Sequence, residues 1–142
     1  MKRAITIDCI CYAIILLFVY AALSKLFLYS VYVGDLKRSP FIAPYASYLS
    51  LTLPILELAI SALLIVERTR LIALWGAFIL MLLFTGYVAL IIGVVNGKPC
   101  TCGGLIRKLS WGQHLALNIF YTILSITGIW LQKAQAAAWQ RN

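Results

Sequence analysis

Two cysteines one residue apart, Cys100 and Cys102, lie in the segment NGKPCTCGGLIRKLSWGQHLALN, Asn96 to Asn118, the one stretch where reactive side chains interrupt an otherwise lipid-like sequence. Thiols at this spacing can close on each other. A disulfide needs Cα atoms roughly 4.4–6.8 Å apart, so the backbone between them has to bend. Pro99 fixes φ before the pair, and Gly103 and Gly104 permit φ > 0 after it. The resulting small ring is strained, and strained disulfides are the readily reduced, working kind. Two other chemistries fit the same pattern: a pair of free thiols in a turn, and a soft-metal clip for copper or zinc.

The elements that must position this turn are set by composition. Of 142 residues 63% are hydrophobic, and the only acids are Asp8, Asp35, Glu57 and Glu67. A soluble domain is about 45–50% apolar, so the chain reads as one integral membrane domain over residues 1–142. About 20 apolar residues cross a bilayer as a helix, and four such stretches fit, at about 8–33, 51–66, 71–95 and 111–131. Continuous apolar runs without period-two alternation exclude a barrel. The fold expected is an all-α membrane protein, a four-transmembrane-helix antiparallel bundle. The N-terminus resembles a signal peptide, but its apolar run continues to Val33, beyond the usual ~7–15 residues, and is read as an uncleaved first span.

Between the first two spans, Gly34 to Ser50 reads as a loop with room for a short interfacial helix, because Pro40 and Pro44 break any helix. ERTR, Glu67 to Arg70, is a tight polar turn. Ser110 is an N-cap for the fourth span, and the tail KAQAAAWQRN is a frayed or surface-lying helix. The net charge of +8 comes from cations spread over termini and loops, which flank a membrane and do not form a nucleic-acid patch.

Charges within spans are costly, about 2.5–3.5 kcal/mol each on the insertion scale. At 1.5 Å per residue, Lys25 lies about 12 Å and Glu57 about 9 Å below the same surface. Equal depth on neighbouring antiparallel helices predicts an ion pair. His114 sits near that surface too, and His114, Asn118, Tyr121, Thr122 and Ser125 share one helix face. Cys100, Cys102, His114, Lys25 and Glu57 therefore converge in one outer third. A nearby cation or protonated His lowers a thiol's pKa, and His114 or Glu57 can carry protons for a quinone-type acceptor. Structural alternatives stand beside these roles: Lys25 can snorkel, the Lys–Glu pair can be a packing lock, and His114 with Asn118 can bond helices together. Cys9 and Cys11 fall near the opposite surface, a ~30 Å core away, and read as small apolar filler.

Ser24-Lys25-Leu26, the proline-containing loop and LPILELAISALLIV (Leu53 to Val66) resemble the DoxX-like membrane proteins. The Arg-flanked third span, the Cys-x-Cys-Gly turn at 100–103 and a fourth span bearing Asn118 look like the MauE, or methylamine-utilisation, branch. The resemblance covers about Asp8 to Leu131 and departs from the pattern at Gly104, where MauE-like turns often carry Phe between two glycines. It implies a four-helix membrane protein tied to thiol redox and to maturation of a disulfide-rich periplasmic enzyme subunit. Carried over by position, it implies Cys100 and Cys102 as the redox pair and Lys25 with Glu57 as the intramembrane polar pair.

The function expected is a bacterial inner-membrane thiol–disulfide oxidoreductase. Cys100 and Cys102 exchange with a periplasmic thiol/disulfide protein, His114 assists, and a quinone sits by Lys25, Glu57, His114 and Asn118. No metal, no nucleic acid and possible self-association complete the expectation. The alternatives are a non-enzymatic membrane assembly or maturation factor and a copper-binding protein. With both termini cytoplasmic, the inner side carries Lys2, Arg3, Arg68, Arg70, Lys133 and Arg141, and the outer side Lys37, Arg38, Lys98, Arg107 and Lys108. That near balance does not orient the chain by the positive-inside rule. The N-inside orientation is chosen because it places the thiols in an oxidising compartment.

Overall fold

The computed structural model describes residues 2–94 and 110–139; Cys100, Cys102, Lys98, Arg107 and Lys108 lie outside the described residues. The elements are α1 (Lys2–Phe27), α2 (Tyr29–Arg38), a 3₁₀ turn (Ala43–Tyr45), α3 (Ala46–Ile65), α4 (Arg70–Val94) and α5 (Trp111–Trp139). Four stretches, Ala4–Phe27, Ala43–Ile65, Arg70–Val94 and Trp111–Ala138, are long and apolar enough to cross a membrane. They pack as an antiparallel bundle in which α1 lies against α3 and α5, and α4 against α3 and α5.

The core follows helical spacing. Ile7, Ile10, Ile14 and Phe18 of α1 are buried, and cluster with Ala73, Leu74, Ala77, Leu80 and Met81 of α4 and Ile60 and Leu64 of α3. Large apolar side chains also cover the outside: Leu16, Phe27, Ile65, Ile72, Leu83, Phe120 and Trp130 are exposed. Such a surface suits lipid and not water. In lipid, helices associate through close packing and small residues, and Ala73, Ala77, Ser61 and Ser125 supply that inside the bundle. At Gly128 a Cβ would fall 3.1 Å from side-chain methyls of both Ile10 and Leu74, so a larger residue there requires those side chains to give by a few tenths of an ångström.

Several serine and threonine hydroxyls bond within their own helices. Ser61 donates to Glu57 O, Thr85 to Met81 O, Thr122 to Asn118 O and Ser125 to Tyr121 O, each at 2.7–2.8 Å. This i−4 bonding lets a polar side chain sit in an apolar surround.

The caps explain where the helices end. Ser110 accepts from Gln113 N (3.3 Å) while Gln113 Oε1 accepts from Ser110 N (2.9 Å), a reciprocal capping box. Replacing Ser110 with Ala should cost about 1 kcal/mol, read as a lower thermal midpoint in detergent. An unchanged midpoint would show that the cap does not hold the start of α5. At the expected ERTR turn, Thr69 Oγ1 donates to Leu63 O (2.8 Å) and Arg70 Nε to Leu64 O (3.4 Å), which serves carbonyls left open at the end of α3.

The first span departs from expectation. It does not run to Val33: α1 ends at Phe27, Leu28 leaves helical geometry (φ −107°, ψ 37°), and α2 follows at once. There is no proline or glycine at the break. The turn instead brings Tyr32 and Leu36 of α2 into a buried cluster with Ala46. Residues 34–38, read as loop, belong to this helix. It ends where Ser39 (ψ 124°) precedes Pro40, as pre-proline backbone is pushed out of the α region. The second span begins at Ala46, earlier than the expected Leu51, and Pro54 lies well inside α3. α5 runs unbroken through the tail to Trp139.

Candidate functional site

Lys25, in the last turn of α1, and Glu57, midway along α3, form a hydrogen-bonded ion pair through Nζ and Oε1. They are 7% and 1% exposed, so the pair is inside the protein and the lysine does not snorkel. The pairing expected from matched depth is present, although the helix ends are not where that argument put them. α1 stops half a turn beyond Lys25, and α3 begins about three turns before Glu57. Burial at this end comes from α2, which folds across it. The Lys25 ammonium also faces two rings, 5.9 Å from the Tyr32 centroid and 5.5 Å from that of Phe84, distances at which cation–π attraction operates.

The pair opens onto a cavity of about 250 Å³ whose wall includes His114 and Asn118 of α5. These are 7% and 4% exposed. The remaining wall is mostly apolar: Leu17, Phe18 and Ala21 of α1, Leu80, Met81 and Phe84 of α4, and Tyr32 and Leu36 of α2, with Tyr87 and Trp111 adding polar-edged rings. In the ion pair and the two α5 residues, Glu57 Oε2, His114 Nδ1 and Asn118 Nδ2 are buried and find no hydrogen-bond partner among the described residues. Buried polar groups are normally paired, and an apolar chamber with a few convergent, unsatisfied polar atoms is what a small-molecule site looks like.

The structure thus brings together Lys25, Glu57, His114 and Asn118, from three helices. Cys100 and Cys102 lie outside the described residues. The polar face expected on α5 does point inward: Ser125 is fully buried and Thr122 Oγ1 lies 3.2 Å from Thr85 Oγ1 on α4. Cys9 and Cys11 are free thiols, exposed and buried respectively. They sit by the opposite end, where Arg70 Nη1 donates to Asp8 Oδ1 (2.9 Å).

Sequence reasoning missed α2's contribution. Asp35 is 1% exposed, its Oδ1 accepts from Arg38 Nη2 (2.7 Å), and its carbonyl accepts from Ser39 Oγ (3.1 Å). The signal was there, since Asp35 is one of only four acids, but placing it in a loop implied that it was solvated. Tyr32 and Phe84, the rings about the ammonium, carried no signal beyond their apolar character.

Fold and cavity together define a helical membrane protein with four candidate spans among the described residues and an ion pair buried within the bundle. A family model described as Methylamine utilisation protein MauE matches residues 3–131. The chain therefore belongs to the MauE family, membrane proteins of methylamine utilisation. No curated protein and no solved structure matches it.

Proposed function

We propose that the protein is an inner-membrane thiol–disulfide redox component of the maturation step its family serves, with both termini cytoplasmic. Cys100 and Cys102 act outside, exchanging with a periplasmic thiol/disulfide protein. The cavity by Lys25, Glu57, His114 and Asn118 receives the ring of a quinone. The wider DoxX-like kinship, carried by Ser24-Lys25-Leu26 and Leu53–Val66, belongs to the same proposal.

The observation that supports it is the convergence on an apolar cavity of about 250 Å³ of Glu57 Oε2, His114 Nδ1 and Asn118 Nδ2, which have no hydrogen-bond partner among the described residues. A dry cavity of about 150 Å³ holds a benzene ring, so the space suits a substituted ring whose tail lies in lipid. Bound there, a quinone supplies an acceptor for the two electrons and two protons released when a dithiol closes to a disulfide. The chain's own part is to exclude water with Phe18, Met81 and Phe84, to fix Glu57 through Lys25, and to offer His114 as a proton carrier near the thiol end.

A membrane-impermeant alkylating reagent applied to intact cells tests the thiol half. Cys100 and Cys102 should resist labelling until a reductant is added outside, and then label together. Labelling only after permeabilisation would reverse the orientation. Labelling without reductant would leave no disulfide to exchange and would favour the non-enzymatic assembly factor. Redox titration adds a magnitude: exchange catalysts lie at roughly −120 to −270 mV, and the pair should titrate within that window.

A further inference from the structure

We propose, resting on the reading of the cavity as a quinone site, that Glu57 Oε2 is the receptor for a ring hydroxyl, so that the site prefers a hydroquinone to the corresponding quinone. The two carboxylate oxygens of Glu57 are not equivalent. Oε1 is taken by Lys25 Nζ, while Oε2, on a residue 1% exposed in the cavity wall, has no partner among the described residues. An ionised carboxylate oxygen only accepts. Whatever completes this atom must therefore donate.

A quinone carbonyl cannot donate; set against Oε2 it would bring two lone pairs together. A hydroquinone hydroxyl can donate, and a hydrogen bond to a charged acceptor is among the stronger kinds. The lysine does not reverse this preference, because its charge already faces Oε1 and the rings of Tyr32 and Phe84. Asn118 Nδ2 is a donor with no partner among the described residues, but either ring form presents it with an acceptor, so it contributes affinity without discriminating. Glu57 is the discriminating residue.

One hydrogen bond to a charged group corresponds to a preference of at least about tenfold. Tenfold tighter binding of the reduced form raises the midpoint of the bound couple by about 30 mV. The cavity is then biased to draw electrons toward the ring and away from the thiols, a direction that neither the cysteine spacing nor the family membership supplies.

The test is anaerobic calorimetric titration of the purified, detergent-solubilised protein with three probes sharing one ring: tetramethylhydroquinone, tetramethylquinone and the dimethyl ether of the hydroquinone. The hydroquinone should bind at least about tenfold more tightly than either of the others. Because the ether changes the ligand and not the protein, this comparison does not depend on any variant folding. In the protein carrying Lys25→Met with Glu57→Leu, which leaves no lone buried charge, the three probes should bind within threefold of one another. Equal binding of all three to the natural protein, or tighter binding of the quinone, would overturn the hydroxyl preference and leave the ring site standing. Binding of none would remove the ring site as well.

Discussion

Lys25→Met alone is expected to lower stability by about 3–5 kcal/mol, whereas Lys25→Met combined with Glu57→Leu should be near neutral or stabilising. The asymmetry follows from the burial of both groups, at 7% and 1% exposed. Removing the ammonium leaves a carboxylate in an apolar wall with neither oxygen served, since Oε2 already lacks a partner among the described residues. Removing both deletes the desolvation cost together with the attraction. Thermal unfolding in a fixed detergent, arranged as a double-mutant cycle with Glu57→Leu as the fourth corner, measures the coupling directly. If the single lysine variant melts with the natural protein, the pair is not sealed inside the bundle, and the cavity loses the group that orients Glu57. The cycle also separates structure from function. A double variant that folds normally but no longer distinguishes hydroxylated rings assigns the pair to binding, while one with intact ring discrimination assigns it to packing.

Cys100→Ser and Cys102→Ser are each expected to reduce thiol exchange to background. Exchange proceeds by attack of one thiolate through a mixed disulfide, which the second thiol must resolve. Either single variant therefore breaks the cycle, and the one that keeps the attacking sulfur should accumulate a mixed disulfide with the periplasmic partner, visible as a reductant-sensitive band shift. His114→Ala should behave differently: exchange with a small soluble disulfide persists, and turnover in membranes falls. If both serine variants support full maturation of the partner enzyme, the cysteines only lock a turn, and the assembly-factor reading replaces the redox one.

What the sequence made legible depended on whether the signal was local or came from distant packing. Ser110 announced a helix start because capping is a matter of a few bonds between near neighbours, and the structure adds Gln113 as its reciprocal partner. Lys25 and Glu57 could be matched because isolated charges in apolar runs have few ways to survive, and partnership across helices is the main one. The α1–α2 break was illegible because Leu28 is an ordinary helix former; the chain turns there to bury Tyr32 and Leu36 against Ala46, a gain that exists only once α3 is in place. The start of the second span was misplaced at Leu51 for a related reason: α3 begins at Ala46 and extends two turns ahead of Pro54, a proline that the bundle accommodates where an isolated helix would not. Asp35 drew no attention because its segment read as a loop with room for only a short interfacial helix, whereas α2 runs Tyr29–Arg38 and buries it.

The two cross-helix ion pairs of α1 have a mechanical consequence. Near its beginning Asp8 is tied to Arg70 of α4, and near its end Lys25 is tied to Glu57 of α3, anchor points about 25 Å apart along the axis. Sliding or rolling α1 against its neighbours strains both pairs, and the buried Lys25–Glu57 pin resists this more than the half-exposed Asp8–Arg70 pin does. α1 is therefore tied at both ends as one wall of the chamber, with α2 set against it across the break at Leu28.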